Sequence, residues 1–281
     1  MYTLNCKGKL VVLESPIVMG ILNMTPDSFY AASRQGIKIS MLQQAHMMLE
    51  EGATLLDVGG QSTRPGAQFL TPQVEANRVV PAIEALHDRF PEAIISVDTF
   101  HSSVATMAVQ AGASMVNDVS GGLMDPQMLT TVAALRVPYV CMHMPGTPQT
   151  MQQHAHHLAQ GNVVETVLDF FIERVAACTA AGIHDVVIDP GFGFGKLPAQ
   201  NFELLNQLSV FTQTLQKPLL LGVSRKSTIY KTLGITANEA LNGTTVLNTV
   251  GLLNGANILR VHDVKAAVEA ITLVRALAAS T

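Results

Sequence analysis

Apolar residues in this chain arrive in short unbroken runs, and each run stops at a polar residue. Ile17 to Leu22 ends at Asn23, Thr54 to Val58 encloses Asp57, and Ile94 to Val97 ends at Asp98. Ser114 to Val116 ends at Asn117, Pro138 to Met142 at His143, and Val186 to Ile188 at Asp189. Leu219 to Val223 leads to Lys226, and Asn257 to Leu259 leads to Arg260. Runs of this kind, without strict alternation, predict strands buried on both faces, as in a parallel sheet. Amphipathic segments fall between them: Ile37–Glu51, Pro72–Arg89, Ser102–Gln110, Pro126–Leu135, Val163–Ala181 and Val264–Ala278. Tyr2 to Glu14 alternates loosely around Lys7-Gly8-Lys9 and predicts a short hairpin over residues 1–14.

About eight strand–helix units in roughly 250 residues predict a single (β/α)8 TIM barrel, with residues 1–281 as one domain. A doubly wound open sheet would place a glycine fingerprint after its first strand. The first turn here reads Leu22-Asn23-Met24-Thr25-Pro26 and has none.

Composition narrows the class. Of 281 residues, 48% are hydrophobic and 14% charged, which excludes a disordered chain and calls for a large core. The formal net charge is −4, and the longest basic cluster is Ser224-Arg225-Lys226-Ser227, so neither a nucleic-acid surface nor a polybasic membrane anchor is expected. Val163–Ala181 carries Glu165, Asp169, Glu173 and Arg174 and is too polar to span a membrane. Cys6, Cys141 and Cys178 have neither metal nor disulfide spacing, and no signal peptide is read, so a reducing, cytoplasmic compartment is expected.

In a barrel every strand C-terminus opens on one face, so the polar residues that close the runs converge on one mouth. Singly, Asp and Asn at strand ends serve as turn formers and caps; His143 fits a core histidine as well as a ligand. The stretch IDPGFGFGK, from Ile188 to Lys196, has the glycines of a phosphate cradle. It is not a Walker A loop, because Pro190 and Leu197 stand where Gly and Ser/Thr belong, and it is not GxGxxG, because Lys196 replaces the last glycine. Lys196 itself reads as a solvated charge. His154, His156 and His157 lack zinc spacing, and no GxSxG elbow occurs.

Two ligand chemistries remain. Arg260 and His262 are i, i+2 on one strand end and present a fork and a second donor to an anion. With Asn23 and Ser62-Thr63-Arg64 they suit a pyrophosphate carried with Mg2+; an ion pair of Arg260 with Asp57 or Asp263 is the competing role. Asp98, Asp189 and Asn117 suit a flat heterocycle bearing an amino group and a ring N–H, with Lys226 donating to a ring carbonyl or nitrogen.

Eight segments in order then resemble the dihydropteroate synthase family: MGILNMTPDSF (Met19 to Phe29), LLDVGGQSTRPGA (Leu55 to Ala67), ISVDT (Ile95 to Thr99), VNDVSG (Val116 to Gly121), MHMPGTPQTMQ (Met142 to Gln152), IDPGFGFGK, GVSRKS (Gly222 to Ser227) and ILRVHDV (Ile258 to Val264). The resemblance implies a (β/α)8 transferase of folate biosynthesis. It joins p-aminobenzoate to 6-hydroxymethyl-7,8-dihydropterin pyrophosphate with Mg2+, releases pyrophosphate by a dissociative path, and is the target of sulfonamides. It implies Asp98, Asn117, Asp189 and Lys226 for pterin, and Asn23, Arg260 and His262 for pyrophosphate and metal. Thr63 and Arg64 fall near the diphosphate in the second loop, and Phe194, Lys226 and Ser227 wall the aminobenzoate. Lys226, Arg260, His262 and Asp98 are the implied catalytic set, and a homodimer is the implied assembly. Two positions depart from the family pattern: Ala31 replaces an aspartate of the first loop, and Gln61 replaces a glutamate of the second. A corrinoid-type pterin methyltransferase and a non-catalytic pterin-binding paralogue are the alternatives.

Overall fold

Alternate residues of each strand go to two different cores, and this alternation explains why the runs read as unbroken. The computed structural model describes residues 1–24, 34–62, 69–151, 153 and 161–280, the side chains of 34–39 excepted. A hairpin, β1 (Tyr2–Cys6) and β2 (Lys9–Leu13), turns through Lys7 and Gly8, both at positive φ, as a two-residue primed turn requires. Eight parallel strands follow: β3 (Ile17–Asn23), β4 (Leu55–Gly59), β5 (Ile94–Asp98), β6 (Met115–Asp118), β7 (Tyr139–Met142), β8 (Val186–Asp189), β9 (Leu220–Leu221) and β10 (Ile258–Val261). Their order is β8-β7-β6-β5-β4-β3-β10-β9. The two ends meet through a parallel bridge from Ile188 to Leu219, with Ile188 N donating to Pro218 O at 2.9 Å. The sheet is therefore an all-but-closed (β/α)8 barrel, as expected.

The helices are α1 (Arg34–Glu50), α2 (Pro72–Arg89), α3 (Ser102–Gln110), α4 (Met128–Leu135), α5 (Val163–Ala181), α6 (Pro198–Asn206), α7 (Leu208–Leu215), α8 (Ser227–Leu233), α9 (Leu241–Leu253) and α10 (Val264–Ala278). The strand runs expected from the sequence each hold a strand. The units after β8 and β9 carry two helices each, where one was expected, because breaks at Gln207 and around Gly234 to Glu239 divide the path back across the barrel. Local chemistry places the ends. Thr71 caps α2 with Pro72 at its first position, Asn162 accepts from Val164 and Glu165 at the start of α5, and Gly182 closes α5 at φ 94°.

Residues that point outward, among them Leu22, Leu56, Val58, Val97, Tyr139, Ile188 and Leu259, pack under the helices in the larger core. Residues that point inward at the strand starts form a second core: Met19, Leu55, Met115, Val140, Val187, Leu220 and Ile258. Leu4, Cys6, Val11 and Leu13 of the hairpin pack onto this ring and plug the N-terminal end. The apolar floor is thus sealed from below, and the next inward layer along the strands is free to be polar.

Candidate active site in the barrel mouth

That next layer holds the chemistry. Asp57 lies mid-strand in β4 and is 0% exposed, and Arg260 lies mid-strand in β10. Arg260 Nε donates to Asp57 Oδ2 at 2.7 Å, and Nη2 donates to Asp98 Oδ2 at 2.8 Å. Asn117 Nδ2 donates to the same Asp57 oxygen at 2.9 Å. These four residues, from four strands, form one buried network just below the rim. All four were expected at run ends, but only Asp98 ends its strand; the others stand inside the lumen, because the strands run on past Asp57 to Gly59, past Asn117 to Asp118 and past Arg260 to Val261.

The ion pair that competed with anion binding at Arg260 therefore exists, with Asp57 rather than Asp263 as partner. Asp263 is held by Arg225 through two contacts at 2.8 and 2.9 Å. Arg225 also donates to the Ala237 and Asn238 carbonyls, so its guanidinium is committed to the scaffold. Burial pushes Asp98 up to about 7, against the pull of Arg260 and with the help of Asp57, Asp118 and Asp189. Asp57 and Asp98 together hold Arg260 charged, above its usual value despite its burial.

Asp189 closes β8 and is buried; its Oδ1 accepts from Gly191 N at 2.8 Å. Burial raises its pKa, and Lys226 and Arg260 work against that rise. Lys226 Nζ donates to Phe192 O and stands 4.5 Å from the centre of the Phe194 ring. Burial lowers Lys226 to about 8, Asp189 opposing. Beyond β10, Ser224 Oγ accepts from His262 N at 3.2 Å and lies 2.9 Å from His262 Nδ1. This contact orients the ring and leaves Nε2 as its second polar atom. Burial and the neighbouring Arg260 hold the imidazole below its usual pKa and hence neutral. Asn23 ends β3 in register with Gly59, and Ser227 begins α8 beside Lys226. Thr63, Arg64, Ala31 and the histidines 154, 156 and 157 lie outside the described residues.

One reading changes, and two that were open are narrowed. Lys196 is not a solvated charge: it is buried, 5% exposed, and its ammonium donates to three main-chain carbonyls. His143 is a core histidine whose ring stands edge-on to Phe170 at 4.9 Å, with Nδ1 lacking a hydrogen-bond partner; burial holds it well below its usual pKa. The glycines of IDPGFGFGK serve close packing. Gly191, Gly193 and Gly195 all take positive φ, and a Cβ on Gly191 would come within 1.9 Å of His143 O. They press the turn onto the end of β7.

Sequence reasoning passed over Ser224, Phe192 and an apolar rim of Phe100, Val119, Met142, Met144 and Met151, packed with Phe69, Met124 and Phe194. It also passed over Asp118, which faces away from Asn117. Asp118 accepts from Ser120 N, Ser120 Oγ, Gly122 N and Tyr139 OH, a scaffold role. Gln61, the departure in the second loop, accepts from Leu70 N at 2.8 Å and donates to Ser62 O at 3.0 Å. Among the described residues no group of three or more His, Cys, Asp and Glu side chains is placed to hold a metal ion.

Buried carboxylates and an amide on one side of the mouth, cations on the other and an apolar rim define a barrel enzyme built to take a flat, polar ring. The chain belongs to the pterin-binding enzyme family, whose model matches residues 19–262. It is 41% identical to the dihydropteroate synthase of Escherichia coli over 272 residues, covering 96% of this chain and 94% of the relative. It is likewise 41% identical to that of Haemophilus influenzae over 265 residues, at 94% of each. Among solved structures, Xanthomonas albilineans dihydropteroate synthase with 4-aminobenzoic acid superposes at TM-score 0.91, with 41% identity and 99% and 98% of the two chains covered. The same enzyme in complex with 7,8-dihydropteroate gives 0.88, at 39% identity and 99% of each chain.

Proposed function

We propose that this chain condenses 6-hydroxymethyl-7,8-dihydropterin pyrophosphate with p-aminobenzoate, and that the lumen and mouth residues divide the reaction between them. The observation that carries the reading is the convergence of Asp98, Asn117, Asp189 and Lys226 on one slot, with Arg260 bonded to Asp98 and to Asp57 beneath it. Asp189, ionised, accepts two parallel N–H bonds from the pterin edge, and Asp98 and Asn117 take the rest of that edge. Lys226 donates to a ring carbonyl or nitrogen.

In the chemical step the bond from the pterin methylene carbon to the diphosphate oxygen breaks, and its electron pair leaves with pyrophosphate. The amine nitrogen then forms the C–N bond and releases one proton, which the leaving pyrophosphate or solvent accepts. An arylamine is neutral near pH 7, so no base is required before attack, and the site offers charge stabilisation instead. His262, Arg260 Nη1, Thr63 and Arg64 serve the departing anion; Phe194 and Ser227 flank the amine. The donor chemistry fits magnesium, which takes one or two protein oxygens, keeps several waters and binds substrate phosphates. Asn23 offers such an oxygen at the rim, and the ion supplies neutralisation of phosphate charge when bound.

A homodimer is part of the reading. α9 and α10 leave an apolar groove of about 670 Å3 between Leu241, Thr245, Leu253, Leu273 and Leu277, and this face suits a second copy. No helix of the described residues is long and apolar enough to cross a membrane, and the three cysteines are buried free thiols, which fits a reducing cytoplasm. The test is pyrophosphate release. Release that requires both the pterin diphosphate and p-aminobenzoate supports the assignment; pterin binding without release in the presence of both removes it and leaves a binding paralogue.

A further inference from the structure

The turn after β8 is gripped by two lysines from opposite sides. From within, Lys196 Nζ donates to Gly191 O at 2.9 Å, Phe194 O at 3.1 Å and His143 O at 3.3 Å. An ammonium has three donors, and all three are taken by main-chain oxygens. From the mouth, Lys226 Nζ holds a fourth carbonyl, that of Phe192, and lies over the Phe194 ring. The turn fits tightly between them. A Cβ on Gly193 would stand 3.0 Å from Lys226 Cδ, and one on Gly191 would stand 3.1 Å from Lys196 Nζ. Asn201 adds a further tie: its Oδ1 accepts from Gly193 N at 2.6 Å, and its Nδ2 donates to the Lys196 and Leu197 carbonyls.

The two grips differ in what they leave free. Lys226 faces ligands, and beside its one bond to Phe192 O it has donors left to turn toward one. Lys196 is enclosed; burial lowers its ammonium to about 7, and the carboxylate of Asp189 is the opposite charge that works against that fall. A cation buried without solvent is costly unless its bonds are complete, and these are. It does here what a bound metal ion does in other loops: it gathers carbonyl oxygens from separate segments, the end of β7 and the glycine turn, onto one centre.

We propose that Lys196 is a positioning residue for the aromatic amine: it holds the Phe194 carbonyl, and hence the Phe194 ring, in place while Lys226, on the other side of the same turn, engages the pterin. This rests on the assignment of Phe194 and Lys226 to the amine wall. Asp189 is tied to Gly191 N through its own oxygen, and Asp98 and Asn117 sit on strands, so the pterin slot leans on Lys196 less than the Phe194 wall does.

The test compares wild type with Lys196→Met, which keeps the chain length without donors, and Lys196→Gln, which restores two. The Met variant is expected to raise KM for p-aminobenzoate about tenfold or more, while the calorimetric Kd for 6-hydroxymethylpterin stays within about threefold and the Gln variant falls between. A KM within twofold of wild type overturns the proposal. So does parallel loss of amine and pterin affinity with a lowered unfolding temperature, which marks a merely structural lysine. A wild-type measurement covers variants that do not fold. The Lys196 ammonium protons, followed by 15N-resolved NMR, are expected to exchange slowly with solvent both before and after pterin addition, while the Lys226 signal shifts. Exchange at the rate of an exposed lysine overturns the proposal. Turnover by wild type is scored separately; if it is absent, the assignment of the reaction fails whatever Lys196 does.

Discussion

Asp57 tests the lumen network most directly, because one of its oxygens serves two donors from two other strands. Consider Asp57→Asn, a change of charge with almost no change of shape. Breaking a buried ion pair by removing one partner costs roughly 3–5 kcal/mol, because the other charge is left uncompensated. Here the loss is partial. Arg260 keeps Asp98 at 2.8 Å, and the amide oxygen still accepts one bond. The amide nitrogen takes the place of Oδ1, which is buried with no hydrogen-bond partner, so it gains nothing there. About 2 kcal/mol of lost stability is the expected balance. At about 2–4 °C per kcal/mol for chains approaching this length, the unfolding midpoint drops by about 4–8 °C. A second readout follows from charge alone. Asp57 helps to hold the Asp98 pKa up, so removing its charge lowers the titration point of Asp98, with Arg260 now the dominant neighbour. Urea unfolding measures the first quantity and carbon-detected NMR of the Asp98 carboxyl the second. A loss below about 0.5 kcal/mol, as at an ordinary surface position, refutes the network as a structural unit. An Asp98 titration that stays or rises refutes its electrostatic coupling.

Two further outcomes are expected. Lys226→Ala lowers kcat/KM by about 10²-fold or more. In wild type the Lys226 ammonium is charged below about 8, so kcat/KM falls as pH rises through that value, and Lys226→Arg moves the limb upward; an unmoved limb assigns it elsewhere. Leu273→Glu on the exposed face of α10 shifts the protein from dimer to monomer in sedimentation, and a monomeric wild type ends the homodimer reading.

The barrel was legible in the sequence because burial on both faces leaves a signal that survives without coordinates: a short apolar run, a polar stop, then a helix. Register was less legible. Asp57 and Arg260 read as run ends, yet both lie one layer down in the lumen, where only the inward or outward alternation of neighbouring residues separates Asn117 from Asp118. In a fully buried strand that alternation is masked, because outward residues meet helices and inward ones meet the floor, and both are apolar. The first polar residue to break a run is therefore visible, but the face it points to is not.

Lys196 shows a limit of another kind. Every residue within five positions of it is glycine, aromatic or otherwise uncharged, and local context made it a free charge. Its partners are carbonyl oxygens, which every residue carries and no composition marks. One of them, His143 O, is 53 residues away along the chain. The signal that was available lay in the glycines instead. Three alternating positive-φ positions cost conformational entropy without apolar packing of their own. A turn of that shape needs an internal anchor, and a basic residue at its closing end is the one side chain there able to bind several carbonyls at once. The glycine turn and the buried lysine are thus parts of one device, and the chemistry that looked like a phosphate cradle is a cation held by the protein's own backbone.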